Sequence, residues 1–294
     1  MRLRCFCVWC AVTMCLMSPV VAQEPAGTKQ EPRIDQPLTA GEQSAAARLT
    51  RLRSARLWWN DENRVIGASF KGDDANDHAI ALASNLPGLR TVVLVATPRS
   101  RLTDDGLAPL TTLPNLELLS ISGNRTTDAA MVHVGHMHKL RTLVLKCDIT
   151  DSGLETLSEL TSVEQLDLTQ SKVTDAGMIH VQHFAKLRTL ILNGTRLTNE
   201  SLSTIAELKT LENLYLGNTP IDDAAVASLK QMEQLQLLFL LDTHITASGV
   251  AELQPSLLES CTIIHQSGTC QGSRKSPLAM ARVSTEAAAW HPAE

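Results

Sequence analysis

The chain has 294 residues, a mass of 31.9 kDa and a formal net charge of −5, with 44% hydrophobic residues but only 3% Phe, Trp and Tyr. The hydrophobic content excludes wholesale disorder. An acidic chain this poor in aromatic residues has neither the basic surface nor the stacking platform of a general nucleic-acid binder.

Arg2 and Arg4 precede an apolar run from Cys5 to Met17, which Ser18 and Pro19 break. Val20-Val21-Ala22 then offers small residues for cleavage, so residues 1–22 read as a secretory signal peptide. The run is too short to cross a hydrocarbon core of about 30 Å. The expectation is an exported protein, in the periplasm or envelope or released, with no transmembrane segment after cleavage. Of the seven cysteines, Cys147, Cys261 and Cys270 remain in the mature chain, and losing Arg2 and Arg4 takes the charge to −7. In an oxidising compartment Cys261 and Cys270 either pair or stay free; the spacing leaves both open. Cys147 reads as a buried small hydrophobe.

Residues 23–41 carry Pro25, Pro32 and Pro37 among polar residues and read as a flexible linker. Residues 42–64 read as an N-terminal cap. A helix over Glu42–Leu57, with Leu49, Leu52 and Leu57 on one stripe, leads into a hairpin made of Trp58-Trp59, a turn at Asn60–Asn63 and Val65-Ile66. The two tryptophans are expected to cover the open core of the first repeat.

From residue 65 to 256 one pattern recurs. Segments opening at Leu116, Leu140, Val163, Leu187, Leu211 and Leu235 follow one another at 24, 23, 24, 24 and 24 residues. Each reads Leu-x-x-Leu-x-Leu, as in Leu187-x-x-Leu190-x-Leu192. Further copies start at Leu89, with a three-residue insertion around Pro98–Arg101, and, degenerate, at Val65, making about eight. The second half of the unit reads Thr-Asp-x-Gly at Thr150–Gly153 and Thr174–Gly177. On these residues the chain resembles leucine-rich repeat proteins of the cysteine-containing, Thr-Asp-x-Gly subtype, and in particular the exported ones of planctomycete bacteria. The fold class this implies is α/β: a horseshoe solenoid with a parallel sheet on its concave face and short helices on its convex face. Similar repeats occur in F-box ubiquitin-ligase subunits and internalin-like adhesins, so the likeness alone assigns no function.

The pattern has a physical reading. Side chains alternate along a strand, so the leucines of x-Leu-x-Leu-x point inward and the x residues outward. Thr150/Asp151, Thr174/Asp175 and Thr198/Asn199 stand where a helix N-cap is needed. Thr97, Asn124, Ser171, Thr195, Thr219 and Thr243 form a ladder of short polar residues after the strands, placed to bond the adjacent turn; in the short unit Cys147 or Asp148 takes this slot. A single unit cannot bury enough to fold alone. Residues 257–266 read as a C-terminal capping strand and 267–294 as a disordered tail.

No phosphate loop, nucleophile elbow or Cys-x-x-Cys pair follows residue 22, so no cofactor and no enzyme activity is expected. His133 and His136 are weak metal-ligand candidates that lack partners. The outward column ends in Ile191, Tyr215 and Phe239, with Leu241 beside Phe239; it is expected to be an exposed apolar patch that anchors a protein partner, with Asp167 and Arg188 around it. The alternative is that the tail, through Trp290, covers it. Arg90, Glu117, Arg141, Glu164, Arg188 and Glu212 form a ladder of alternating charges. Arg99, Arg101, Arg125, Lys172 and Arg196 line one edge as a candidate anion site. The functional expectation is a monomeric, non-catalytic protein-binding module using the concave face. The alternative is an envelope structural protein, or a binder of anionic glycan or phosphate at the basic edge.

Overall fold

The computed structural model describes residues 38–123, 126–257 and 261–270. The expected signal peptide, Arg125, Asn124 and Trp290 lie outside them.

Helix α1 (Ala40–Leu49) opens on a reciprocal cap: Glu42 donates its N–H to the Thr39 hydroxyl, and the Glu42 carboxylate accepts the Thr39 N–H at 2.8 Å. It stops at Leu49, short of the expected Leu57, because Arg56–Trp59 forms strand β1 against β2 (Val65–Lys71). The hairpin turn is held by Asn60, whose side-chain oxygen accepts the Arg64 N–H at 2.8 Å. The tryptophans divide. Trp59 packs against the core, whereas Trp58 lies over Gly67 on the other face of the sheet. Adjacent strand residues point to opposite faces, so both could not cover the first repeat.

Strands β3 (Thr91–Val95), β4 (Leu118–Ser122), β5 (Thr142–Lys146), β6 (Gln165–Asp167), β7 (Thr189–Ile191), β8 (Asn213–Tyr215), β9 (Leu237–Phe239), β10 (Thr262–His265) and β11 (Gly268–Cys270) follow in sequence order within a single 11-stranded sheet. The strands from β2 to β10 are parallel; the edge pairs β1–β2 and β10–β11 are antiparallel. The register is constant: Ser69, Val93, Ser120, Val144, Asp167, Ile191, Tyr215, Phe239 and Ile264 stand side by side. The repeat period therefore becomes one column of the sheet, and the extra residues around Pro98–Arg101 are absorbed after β3.

The return limbs are short: α2 (Asp77–Ala83), a 3-10 helix over Asp105–Thr112 that contains Pro109, α3 (Asp128–Val134), α4 (Asp151–Thr156), α5 (Met178–Val181), α6 (Ser201–Ile205), α7 (Val226–Leu229) and α8 (Ala247–Leu257). Their apolar residues meet the inward strand leucines in one continuous core, as with Leu154 and Leu157 beside Leu166 and Leu168. Parallel strands joined by such limbs at the repeat spacing make the fold an α/β solenoid of leucine-rich repeats.

The C-terminal end departs from the expectation. Helix α8 runs to Leu257, where a strand was expected, and β10 begins at Thr262. Residues 268–270, expected in a disordered tail, form β11, which turns back at Gly268 with φ 131°. His265 occupies an inward position held by leucine in the preceding strands. It is buried, its Nε2 2.8 Å from the Ile245 carbonyl while its Nδ1 accepts the Ser267 N–H at 3.1 Å. The Cys261 thiol is free and buried, and Cys270 stands opposite Ile263 in the hairpin, so of the two states the spacing left open Cys261 is in the unpaired one.

Candidate functional site

The strand register sets Val144, Asp167, Ile191, Tyr215 and Phe239 in line on the face that the core does not use. The Tyr215 and Phe239 rings are tilted at 40° with centroids 5.8 Å apart. The Phe239 ring leans over Gly217, where a side chain would collide with it. Pointing away from the core does not make these residues exposed. Ile191, Tyr215 and Phe239 are only 6%, 5% and 3% exposed, and the expected open patch is corrected to a buried apolar column; Leu241 is half-buried. Burial pushes the Tyr215 phenol above its ordinary value.

The polar surround is largely committed within the sheet. Asp167 is itself buried, pairs with Lys146 at 3.1 Å and accepts the Thr169 N–H at 2.9 Å. The charge ladder closes in twos, Arg141 with Glu164 at 3.0 Å and Arg188 with Glu212 at 2.7 Å, both with the arginine well exposed. Exposed pairs of this kind contribute about 0–1 kcal/mol each, so they leave Arg188 available to a partner at little cost.

On the basic edge Arg99, Arg101 and Arg196 are exposed, but Lys172 is paired with Asp148 at 3.0 Å. The row is therefore not a continuous set of unpaired cations. His133 faces Asp105 at 3.6 Å, and the Nδ1 of His136 lies 2.6 Å from the Val132 carbonyl of its own helix. Among the described residues no three His, Cys, Asp or Glu side chains converge as a metal site.

In the polar ladder Thr195 and Thr243 donate to the carbonyls of Leu192 and Leu240, at 2.6 and 2.9 Å, and Thr219 likewise to Leu216. Ser100, not Thr97, holds the buried rung in its repeat, because the insertion precedes it. Cys147 fills the slot in the short unit; it is buried, and burial with the nearby Asp148 pushes its thiol up to about 12.

The sequence reading treated the Thr-Asp pairs as local helix caps and missed their main contact. The carboxylate of each Asp reaches the next repeat: Asp77 to Thr103, Asp104 to Thr127, Asp128 to Thr150, Asp151 to Thr174, Asp175 to Thr198 and Asp223 to Thr246, each accepting both the backbone N–H and the hydroxyl. Gly106, Gly153, Gly177 and Gly249 leave the room these carboxylates occupy. One rung is inverted: Asp222 stands in the Thr place, and Asn199 in the Asp place donates its amide to Asp222 at 2.7 Å and accepts the Asp222 N–H at 3.1 Å. That exchange is the sequence signal that marks the contact.

No protein-family model matches the chain, and no curated protein matches it. Among solved structures it is similar to an internalin C2 from Listeria monocytogenes, at 20% identity over 73% of this chain and 89% of that one, with a TM-score of 0.49. It is also similar to a second internalin of that organism, at 18% identity over 59% of this chain and 68% of that one, with a TM-score of 0.35. The repeat architecture is read from this chain's own period and register. None of its described helices is long and apolar enough to cross a membrane.

Proposed function

We propose that the chain is an exported, non-catalytic protein-binding module that takes its partner on the sheet face opposite the core. One observation carries the reading: the molecule builds a second apolar surface that its core does not use. Leu118, Val144, Ile191, Tyr215, Leu237 and Phe239 pack in adjacent columns of that face and stand apart from the continuous core. Aromatic side chains held by a fixed strand register lose little freedom on binding, which favours them as anchors. Arg188 and Glu212 supply a charged rim at the same strands, and Leu241 a half-exposed shoulder.

The test is affinity capture from the native envelope, comparing wild type with a Tyr215→Ala, Phe239→Ala double variant whose circular dichroism matches wild type. A Leu241→Glu single variant alters the half-buried shoulder of the same face while leaving both rings in place. Proteins held by wild type and lost from the variants support the reading; identical captures on every bait overturn it. Raising the salt separates the surfaces, since binding at the basic edge weakens steeply with ionic strength and apolar anchoring does not.

A further inference from the structure

The sheet ends on its N-terminal side at β1, which pairs with β2 alone. An end strand presents a row of backbone N–H and C=O groups to any extended chain beside it, and proteins often blunt such an edge with a proline or a bulge. β1 has no proline, and the register shift opposite Trp58 and Trp59 puts the extra residue, Ile66, on β2, so β1 itself stays regular. Leu57, Trp58 and Trp59 are each half-buried along this edge. The charges around the strand are sorted. Arg51, Arg53 and Arg56 precede or open it, Asp61 and Glu62 follow it in the turn, and all five are exposed. Among the described residues no ion pair engages Arg51, Arg53, Asp61 or Glu62.

We propose that β1 is a self-association edge: it pairs antiparallel with β1 of a second copy, which makes the protein a twofold dimer in place of the expected monomer. The order of the charges selects a second copy as the occupant. A strand that is basic before and acidic after is complementary to itself when reversed, and a twofold axis repeats each contact on both sides. A parallel mate would set arginine beside arginine. With Leu57 opposite Leu57 of the other copy the pleats stay in phase, so core-facing residues meet core-facing residues and Trp58 meets Arg56 on the other face. The same register brings Arg51 and Arg53 of each copy beside the Asp61–Glu62 turn of the other. The sheet then continues from one copy into the next, and two of the faces proposed above for a partner stand side by side.

The test is sedimentation equilibrium of the full chain and of two charge reversals at exposed positions, Arg51→Glu with Arg53→Glu and Asp61→Lys with Glu62→Lys, each matched to wild type by circular dichroism. The edge is four residues long, so wild type is expected to pass from monomer to dimer across the micromolar range. Each reversal sets like charges together at both ends of the seam and is expected to weaken its own dimer about tenfold or more. In an equimolar mixture of the two variants one chain is acidic at both ends of β1 and the other basic at both, so the mixture is expected to dimerise as wild type does. A wild type that stays monomeric up to its solubility limit, a dimer insensitive to both reversals, or a mixture that stays monomeric overturns the proposal. No other protein is present, so the outcome is independent of whether the sheet face captures a partner.

Discussion

The carboxylate of Asp151 accepts both the backbone N–H and the hydroxyl of Thr174, at 2.8 and 2.6 Å, across the gap between two successive repeats. Parallel strands tie neighbouring repeats on one side; this contact and its equivalents tie them on the other. The motif that reads as a cap within one repeat is therefore a staple between two.

Asp151→Ala removes both bonds. Hydrogen bonds to a charged group contribute about 1.5–3 kcal/mol each, so a loss of roughly 3–6 kcal/mol is expected, against about 1.5–3 kcal/mol for Thr174→Val, which takes only the hydroxyl bond. Urea titration reads both, and an Asp151→Ala protein as stable as wild type contradicts the staple.

The inverted rung makes a sharper test. Asn199→Asp sets two carboxylates face to face and removes the amide donor, so Tm falls; adding Asp222→Thr restores the usual pair, and Tm recovers. The pH response has a definite sign. In wild type the Ala224 N–H and the Asn199 amide hold Asp222 below its ordinary value, so its contribution is present above about pH 3.8 and is lost as pH falls through the lower folded value. In Asn199→Asp the two carboxylates repel, one gains a proton as pH falls, and the difference from wild type narrows between pH 7 and pH 4. A gap that is constant with pH rules out carboxylate repulsion.

Cys147 and Cys261 are buried, and burial is the main cause that pushes both thiols up to about 12. In the native protein at pH 7.5 neither is alkylated by iodoacetamide, and both are after unfolding, as peptide mass spectrometry reads directly. Their folded values lie above the ordinary thiol value of about 9, so stability falls as pH rises from about 9 towards 12. Rapid native labelling of Cys261 contradicts the closed C-terminal end.

Gln170, Gly194, Asn218 and Asp242 occupy one turn position in successive repeats, all with φ between 55° and 68°. Gln is the poorest fit to this left-handed conformation, which costs a residue with a Cβ about 1–2 kcal/mol. After the extra backbone entropy of glycine, Gln170→Gly is expected to gain up to about 1 kcal/mol in urea unfolding. A loss instead means that the Gln170 side chain has a contact worth more than the strain.

The repeat spacing made the parallel sheet and its register legible, because a leucine pattern that recurs every two dozen residues has one way to stack. The caps were legible as residues but not as partners: local spacing shows that Thr150 can cap its own helix, and only stacked repeats bring Asp128 to it. Alternation correctly turned Tyr215 and Phe239 away from the core, but direction is not exposure, and what lies above a face leaves no period. The spacing of Cys261 and Cys270 left their state open, because the hairpin register, not nearness in sequence, decides which residues oppose. Thr97 was taken for a rung that Ser100 holds because an insertion has no fixed place in a one-dimensional pattern.

The central claim is that successive repeats stand side by side with a single register. Paired cysteines test it most directly. Thr189 and Asn213 are register partners on adjacent strands, about 4.8 Å apart and so within disulfide range, whereas Thr189 and Leu237 are separated by the intervening strand β8. The account predicts that mild oxidation of the folded chain links Thr189→Cys with Asn213→Cys and leaves Thr189→Cys with Leu237→Cys unlinked. The reverse outcome, or equal linking of the two pairs, contradicts it.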